Sequence, residues 1–284
     1  MADRNLILVT GATGKVGRQL VPKLLAAGAG VRALTRHPET AALPDGVEVV
    51  AGDLSDTGAM SEWLDGVDGV FLLWPLTTAD AAPDVVDLLA KHVDRVVYLS
   101  SDMPDGEQPA GSITGSHASI ERMIERSRLR WTFLRPTGFA SNTLGWAGQI
   151  RAGGVVRWPY AAAARSLIHE RDNAAVGALA LTRDGHAGRR YVLSGPRTVT
   201  QAEQVRDIGE AIGRPLRFEE ISREEARERL LADGWPPSFA EGALDTWARM
   251  VAEPERVTGT VEQLTGTPAR TFRQWAEDHA DDFR

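Results

Sequence analysis

Short apolar runs alternate with segments of helical periodicity through the first half of the chain. The runs predict strands at 5–10, 30–35, 47–50, 69–74, 95–100 and 131–135, and the periodic segments predict helices at 14–27, 57–65, 81–92 and 114–128. Several strands are almost continuously apolar, which is typical of a sheet covered by helices on both faces. The alternation predicts an α/β fold with a doubly wound parallel sheet.

The second half of the chain has a less regular pattern. It predicts short strands at 155–158, 190–194 and 216–220, with helices at about 173–183 and 200–212. Capping boxes are predicted at Thr200 with Glu203 and at Ser222 with Glu225, Asp172 is the expected N-cap of the helix at 173, and Thr271 begins the last helix. These elements predict a smaller α+β lobe.

Three glycines at a spacing of three residues follow the first predicted strand. Gly11 permits a tight turn, Gly14 lets a pyrophosphate approach the backbone, and Gly17 lets the helix pack closely on the strand. Unpaired N–H groups at the helix start then bind the phosphates. The motif predicts a dinucleotide-binding domain at 1–153 and a substrate-binding lobe at 154–284, with the strands at 155–158 and 190–194 able to rejoin the first sheet. The expected phosphate contacts include Thr13, Lys15 and Val16.

The end of the second predicted strand indicates which dinucleotide is preferred. Domains that prefer NAD carry an acidic residue near this point, whereas this chain has Thr35, Arg36 and His37. A charge-assisted bond from Arg36 to a 2′-phosphate contributes about 1.5–3 kcal/mol. The position therefore favours NADP(H). The alternative is that Arg36 is a solvated surface residue.

Composition excludes several classes of function. A net charge of −7 argues against binding to nucleic acid or to an anionic membrane surface. The chain has no cysteine, which rules out disulfides and thiolate chemistry, and its six histidines show no metal-binding spacing. No apolar run reaches membrane-spanning length. We expect a cytoplasmic protein with a small-molecule substrate and no metal. The sequence leaves open whether the chain forms a homodimer.

Several segments together resemble the NmrA-like branch of the atypical short-chain dehydrogenases. They are Val9–Gly17, Gly52–Leu54, Tyr98–Ser101, Trp131–Pro136, Ile168–Asp172 and Ser194–Pro196. The resemblance implies a Rossmann-type NAD(P)-binding fold in which Asp53 and Leu54 contact the adenine. It also implies a nicotinamide pocket formed by Leu73, Trp74, Pro75, Ser100 and the loop from Pro136 to Phe139.

One departure from that family concerns catalysis. Active short-chain dehydrogenases carry a Tyr-x-x-x-Lys pair on the helix after the fifth strand, in which the tyrosine donates a proton and the lysine holds the ribose. Alignment on Glu121 puts His117 at the lysine position and Ile113 at the tyrosine position. The usual acid is therefore missing, and whether the chain is an enzyme stays open.

The first interpretation is an NADPH-dependent oxidoreductase whose quinone or conjugated aromatic carbonyl substrate needs no strong acid. The family contains quinone reductases with similarly incomplete motifs. His117 is then a candidate to hold the ribose or relay a proton, Ser101 to hydrogen-bond the substrate, and Tyr160 to replace the missing donor. Structural alternatives exist for each: a helix-surface pair of His117 with Glu121, a strand-ending role for Ser101, and packing for Tyr160.

Two other functions fit the same motifs. A non-catalytic NADP(H) sensor that acts through a protein partner is favoured by the missing pair. A sugar-nucleotide epimerase normally requires that pair and ranks last. Three aromatic residues are candidates for a wall beside a flat substrate, although each fits a core role equally well: Trp74, Phe139 and Trp146.

Overall fold

The computed structural model describes residues 5–76, 78–103 and 112–284. The chain divides into two compact units, Met1–Pro136 with Glu170–Val192, and Thr137–His169 with Leu193–Arg284. The chain therefore passes from one unit to the other three times, whereas the sequence predicted a single boundary between residues 153 and 154.

The strands and helices largely follow the predicted periodicities. The described strands are β1 Leu6–Thr10, β2 Gly30–Thr35, β3 Glu48–Ala51, β4 Gly69–Leu73, β5 Arg95–Leu99, β6 Arg130–Pro136, β7 Val155–Trp158, β8 Ala164–Arg165, β9 Arg189–Leu193, β10 Val199–Thr200 and β11 Arg217–Glu220. The described helices are α1 Lys15–Ala26, α2 Met60–Trp63, α3 Ala82–His92, α4 Ile113–Arg126, α5 Ala147–Gly153, α6 Glu170–Thr182, α7 Gln201–Ile212, α8 Arg223–Ala232, α9 Pro237–Ala252, α10 Thr260–Thr265, α11 Phe272–Asp278 and α12 Ala280–Phe283.

A seven-stranded sheet with the order β3-β2-β1-β4-β5-β6-β9 forms the centre of the first unit. The pairs from β3 through β6 are all parallel; Ile7, for example, lies between Val31 and Gly69. The predicted doubly wound Rossmann-type sheet is confirmed. The strand expected at 190–194 rejoins this sheet as β9, whereas the strand expected at 155–158 does not, because β7 pairs with β11 in a separate sheet.

Helices cover both faces of the large sheet, as its apolar strands require. On one face, Val70 and Val96 pack with Val85 of α3 and Ile120 of α4. On the other face, α6 lies so close to the sheet that a Cβ on Gly177 would approach the ring of Phe71 to 2.9 Å. Because both faces of the sheet are buried, successive residues of a strand, which point to opposite faces, are equally apolar.

The second unit has its own core around Trp275, which is fully buried. The capping box at Thr200 is confirmed, and a further one joins Thr271 to Gln274. The box predicted at Ser222 forms only in part: Ser222 accepts a hydrogen bond from the backbone N–H of Glu225 at 3.1 Å, but the Glu225 side chain pairs with Arg229 at 2.7 Å.

One predicted helix boundary is wrong. Helix α6 begins at Glu170, which places Asp172 in its buried first turn instead of at the N-cap. The physical reason is that Ile168 is held in an extended conformation by its bridge to Phe139, and the helix starts two residues later. Within the described part of the chain, no helix is both long enough and apolar enough to span a bilayer.

Candidate active site

The turn between β1 and α1 presents bare backbone. Gly11 has a φ of +63°, in the left-handed region that favours glycine. Gly14 occupies the N-cap of α1 and is exposed, its N–H donating to the Gly11 carbonyl at 3.0 Å. Because a glycine has no side-chain oxygen and the first turn contains no acidic residue, no side chain of these positions competes for an anion at the helix start.

Gly17 allows α1 to lie directly against this turn. A Cβ at position 17 would stand 2.2 Å from the Gly11 carbonyl oxygen and 2.6 Å from the Cα of Ala12. Both are backbone atoms, which cannot rotate away as a side chain would. The spacing of the glycines therefore has the geometric meaning that the motif predicts.

A cavity of about 310 Å³ opens above the glycine turn in the first unit. It lies at the carboxyl ends of β1 and β2, where ligands of such sheets bind. The lining residues are Thr10, Gly11, Thr13, Gly14, Leu34, Thr35, Arg36, His37, Gly52, Asp53, Leu54, Pro75 and Leu76.

Seven predicted dinucleotide contacts meet in this cavity: Gly11, Thr13, Gly14, Arg36, Asp53, Leu54 and Pro75. Sequence reasoning missed six other lining residues: Thr10, Leu34, Thr35, His37, Gly52 and Leu76. Each of the six lies within two positions of a predicted contact in the sequence. They could have been predicted from their places at or just after the carboxyl ends of the strands.

Arg36 and Asp53 stand side by side at this cavity. The Arg36 Nε lies 4.0 Å from an Asp53 carboxylate oxygen, and the arginine side chain is 73% exposed. The pKa of Asp53 is lowered first by the N–H of Ser55 at 2.9 Å, then by the Ser55 hydroxyl at 2.8 Å, and only last by Arg36. The carboxylate is therefore satisfied mainly by Ser55, which leaves the guanidinium accessible to an anion.

The other nine predicted contacts do not line the cavity: Lys15, Val16, Gly17, Leu73, Trp74, Ser100, His117, Pro136 and Phe139. Lys15 and Val16 lie in the first turn of α1, one exposed and one buried, and Leu73 is tied to β1 because its N–H donates to the Thr10 hydroxyl at 2.7 Å. The Leu73 side chain instead supports the turn, because it would contact a Cβ on Gly11 at 3.2 Å.

The predicted aromatic wall is divided between the two units. Trp74 is buried in the core of the first unit, where its indole N–H donates to the Thr78 carbonyl at 2.8 Å. Trp146 is buried in the core of the second unit. Phe139 follows Pro136, the last residue of β6, and lines a small cavity of about 50 Å³ in the second unit together with Trp146 and Trp158. Trp74 and Trp146 thus have the core roles that were the alternative.

His117 on α4 forms a hydrogen bond with Tyr98 on β5. The tyrosine Oη and the histidine Nδ1 are 2.5 Å apart. Burial lowers the pKa of His117 from 6.5 to about 4, partly opposed by the negative charge of Glu121. Burial likewise raises the pKa of Tyr98. His117 is therefore neutral near pH 7. The predicted proton relay needs a pKa near neutrality, so the lowered pKa argues against that role.

Glu121 pairs with arginines and not with His117. Its carboxylate accepts two hydrogen bonds from Arg135 on β6, with Nε to Oε1 at 2.9 Å, and the Arg190 Nε lies 4.0 Å away. The Glu121 side chain is only 4% exposed. The helix-surface pair of His117 with Glu121 is therefore wrong, because α4 turns both side chains toward the sheet.

Two serines stand at the carboxyl end of β5. Ser100 is buried, and its hydroxyl oxygen has no partner among the described residues. Ser101 is half-buried, and its hydroxyl donates weakly to the Asp102 carbonyl at 3.3 Å. Both hydroxyls can therefore form a further hydrogen bond with a ligand.

Tyr160 packs within the second unit. Its side chain joins the cluster of Ala226 and Leu230, and its hydroxyl accepts from Arg223 at 3.5 Å. Its φ of +57° is unusual for a residue other than glycine. The packing role that was the alternative accounts for these contacts.

The model of a family described as NAD(P)H-binding matches residues 11–156. A relative from Streptomyces griseus, (4-alkanoyl-5-oxo-2,5-dihydrofuran-3-yl)methyl phosphate reductase, is 42% identical over 98% of this chain and 99% of its own length. NAD(P)H azoreductase of Xenophilus azovorans is 33% identical over the same shares of the two chains.

Solved structures share the fold. The NADPH-dependent quinone oxidoreductase QOR2 from Escherichia coli, complexed with NADPH, superimposes with a TM-score of 0.80 over 96% of this chain and 99% of that one, at 21% identity. The likeness extends well beyond the glycine turn and includes the second unit.

Proposed function

The chain belongs to the NAD(P)H-binding family, and on that basis we propose that it is an NADPH-dependent reductase of quinones and other conjugated carbonyl compounds. It is an NAD(P)H-dependent oxidoreductase related to quinone and azo reductases. The supporting observation is the cavity above the glycine turn, in which uncapped backbone at the start of α1 and the exposed Arg36 line the same space.

The residues of this cavity fit a phosphorylated dinucleotide. Gly14 and the first turn of α1 would hold the pyrophosphate, Arg36 the 2′-phosphate, and Asp53 with Leu54 the adenine. The bound nicotinamide supplies the hydride, and the protein binds and orients both reactants. Ser101, at the end of β5, is the proposed hydrogen-bond donor to the substrate carbonyl.

The class of substrate follows from the state of His117. This side chain occupies the position of the missing lysine, and its low pKa keeps it from donating a proton near pH 7. This supports a substrate whose product anion is stable enough to take its proton from water. Hydride addition to a quinone gives such an anion, because the charge spreads over the ring and its oxygens.

The relative from Streptomyces griseus acts on a compound of the same electronic kind. Its name describes a dihydrofuran ring with an alkanoyl group and a 5-oxo group on neighbouring carbons, so that the ring double bond is conjugated with both carbonyls. We propose that this chain accepts acyl-dihydrofuranones as well as quinones, since both stabilise the added negative charge on oxygen.

A substrate panel tests the proposal. Purified protein is mixed with NADPH and, separately, with benzoquinones, naphthoquinones, an azo dye, a 4-alkanoyl-dihydrofuranone and an isolated ketone, and the loss of NADPH absorbance is followed. We expect turnover of the conjugated compounds and none of the isolated ketone. Tight NADPH binding without turnover of any compound would contradict the reductase and favour the NADP(H) sensor.

A further inference from the structure

Tyr98 and His117 form a pair in which only one partner reaches the surface. Tyr98 is fully buried, whereas His117 is partly exposed. Their ring centroids are 5.7 Å apart at an interplanar angle of 41°, and the 2.5 Å bond between Oη and Nδ1 is short. Among the described residues, the Tyr98 hydroxyl has no other hydrogen-bond partner.

The direction of this hydrogen bond follows from burial. A phenol O–H that is sealed from water and donates to nothing costs about 1–3 kcal/mol. If Nδ1 carried the hydrogen, it would donate to the tyrosine oxygen and leave the phenol hydrogen without an acceptor. The phenol therefore donates, Nδ1 accepts, and the ring hydrogen of the neutral imidazole lies on Nε2.

We infer that Tyr98 is a positioning residue that holds His117 as the neutral tautomer with hydrogen on Nε2, so that His117 is a fixed hydrogen-bond donor and not a proton shuttle. The two ring nitrogens point in different directions, so Nε2 faces away from Tyr98. No described residue bonds to Nε2, and it is not among the described side-chain atoms that are buried without a partner. The Nε2 edge of the ring is therefore not sealed from solvent.

The charged groups around His117 do not oppose this assignment. Glu121 on its own helix favours the protonated ring, but Arg135 of β6 and Arg190 of β9 pair with that carboxylate. The charged residues of the neighbouring α3, which are Asp84, Asp87, Lys91 and His92, are exposed. Burial therefore dominates, and the pKa of about 4 keeps the ring neutral.

In the complex, an oxygen atom of the bound molecule would accept the hydrogen bond from Nε2–H in place of water. Because His117 stands where the related enzymes place the ribose-holding lysine, this oxygen is either a ribose hydroxyl of the dinucleotide or the substrate carbonyl. This part of the inference rests on the proposed function, whereas the tautomer does not. Binding and kinetic measurements separate the two sources of the oxygen.

The tautomer is tested by ¹⁵N NMR of the imidazole rings in the protein without dinucleotide. We expect His117 to show a bare Nδ1 and a protonated Nε2 from about pH 8 down to about pH 5. Tyr98→Phe should shift these signals toward a mixture of tautomers. Tyr191→Phe is the matched control, because Tyr191 pairs with His186 at 2.8 Å elsewhere in the first unit. A hydrogen on Nδ1 in the wild type, or protonation near pH 6.5, would overturn the inference.

Two substitutions of His117 test the donor role. His117→Gln places an amide N–H near the position of Nε2 and cannot shuttle a proton, whereas His117→Asn reaches only as far as Nδ1. We expect the Gln variant to keep kcat/KM within about threefold of the wild type and the Asn variant to lose about tenfold or more. The Gln variant should also keep the wild-type pH profile.

The parameter that changes in His117→Asn identifies the oxygen that accepts the hydrogen bond. Weaker NADPH binding in His117→Asn assigns it to the ribose, and a raised substrate KM with unchanged NADPH binding assigns it to the carbonyl. If the Gln variant lost activity as severely as Asn, the donor role would be wrong. If the wild type reduced none of the panel compounds, the proposed function would fail, and the NMR result would still decide the tautomer.

Discussion

The turn from β1 to α1 and helix α4, both in the first unit, offer chemistry in different ways. The turn from β1 to α1 offers backbone groups, whose direction is set by Gly11, Gly14 and Gly17 within seven residues. Helix α4 offers the side chain of His117, whose orientation is set by a residue 19 positions away on β5. Binding at the turn is therefore a local property, whereas the chemistry of α4 depends on its tertiary partners.

The largest expected effect on stability comes from removing Arg135, the arginine that pairs with Glu121 of α4. Among the described residues, Arg135→Met leaves the buried Glu121 carboxylate with Arg190 alone, at 4.0 Å. Loss of one partner from a buried pair costs about 3–5 kcal/mol of unfolding free energy. Urea denaturation measures the change. Arg128→Met is the control, because its 3.2 Å pair with Asp94 is exposed and worth less than about 1 kcal/mol. Equal losses of unfolding free energy in the two variants would show that the buried pair stabilises the fold no more than the exposed one.

The glycine turn should be broken by a single methyl group. In Gly17→Ala the new Cβ would meet two backbone positions, so α1 must move away from the turn at a cost of about 2–3 kcal/mol. We expect NADPH affinity, measured by calorimetry, to fall at least about tenfold. Gly148→Ala on α5 is the control, because its Cβ would meet nothing within 4 Å. Unchanged affinity in Gly17→Ala would contradict the assigned site.

Arg36 sharpens the comparison, because its proposed role depends only on its place after β2. Arg36→Ala should weaken NADPH binding by about tenfold to a hundredfold, through the loss of about 1.5–3 kcal/mol of charge-assisted bonding. NADH binding, which involves no 2′-phosphate, should hardly change. Titration with each dinucleotide measures both values. A similar loss for NADPH and NADH would assign Arg36 another role.

His117 provides the smallest effect, which depends on pH. Its pKa is about 4 in the folded chain and about 6.5 when unfolded, so the unfolded chain binds more protons between these values. Stability from this residue is thus fully present above about pH 6.5 and falls as the pH drops toward 4, by about 2 kcal/mol between about pH 7.5 and 5. Urea denaturation at both pH values should show a smaller fall in His117→Gln, and an equal fall would contradict the buried state.

Sequence reasoning succeeded where a residue's role follows from its neighbours along the chain. The glycine spacing, the place of Arg36 at the cavity and the capping box at Thr200 were all readable in this way, and the role of Arg36 toward a 2′-phosphate stays a prediction. It was less successful where burial decides the role. Trp74 and Tyr160 were candidates for the site, but Trp74 is buried in the core of the first unit and Tyr160 packs, half-buried, against a small cluster of the second.

The sequence alone determined the parallel sheet and the glycine turn proposed to bind the dinucleotide, because apolar periodicity and glycine spacing act over a few residues. Only the tertiary structure decided that His117 is a neutral donor held by Tyr98, and that Glu121 belongs to Arg135. The physical reason is that a titratable side chain takes its charge from burial and from partners in other elements. The pairing of β5, α4 and β6 creates those surroundings, and no local pattern records them.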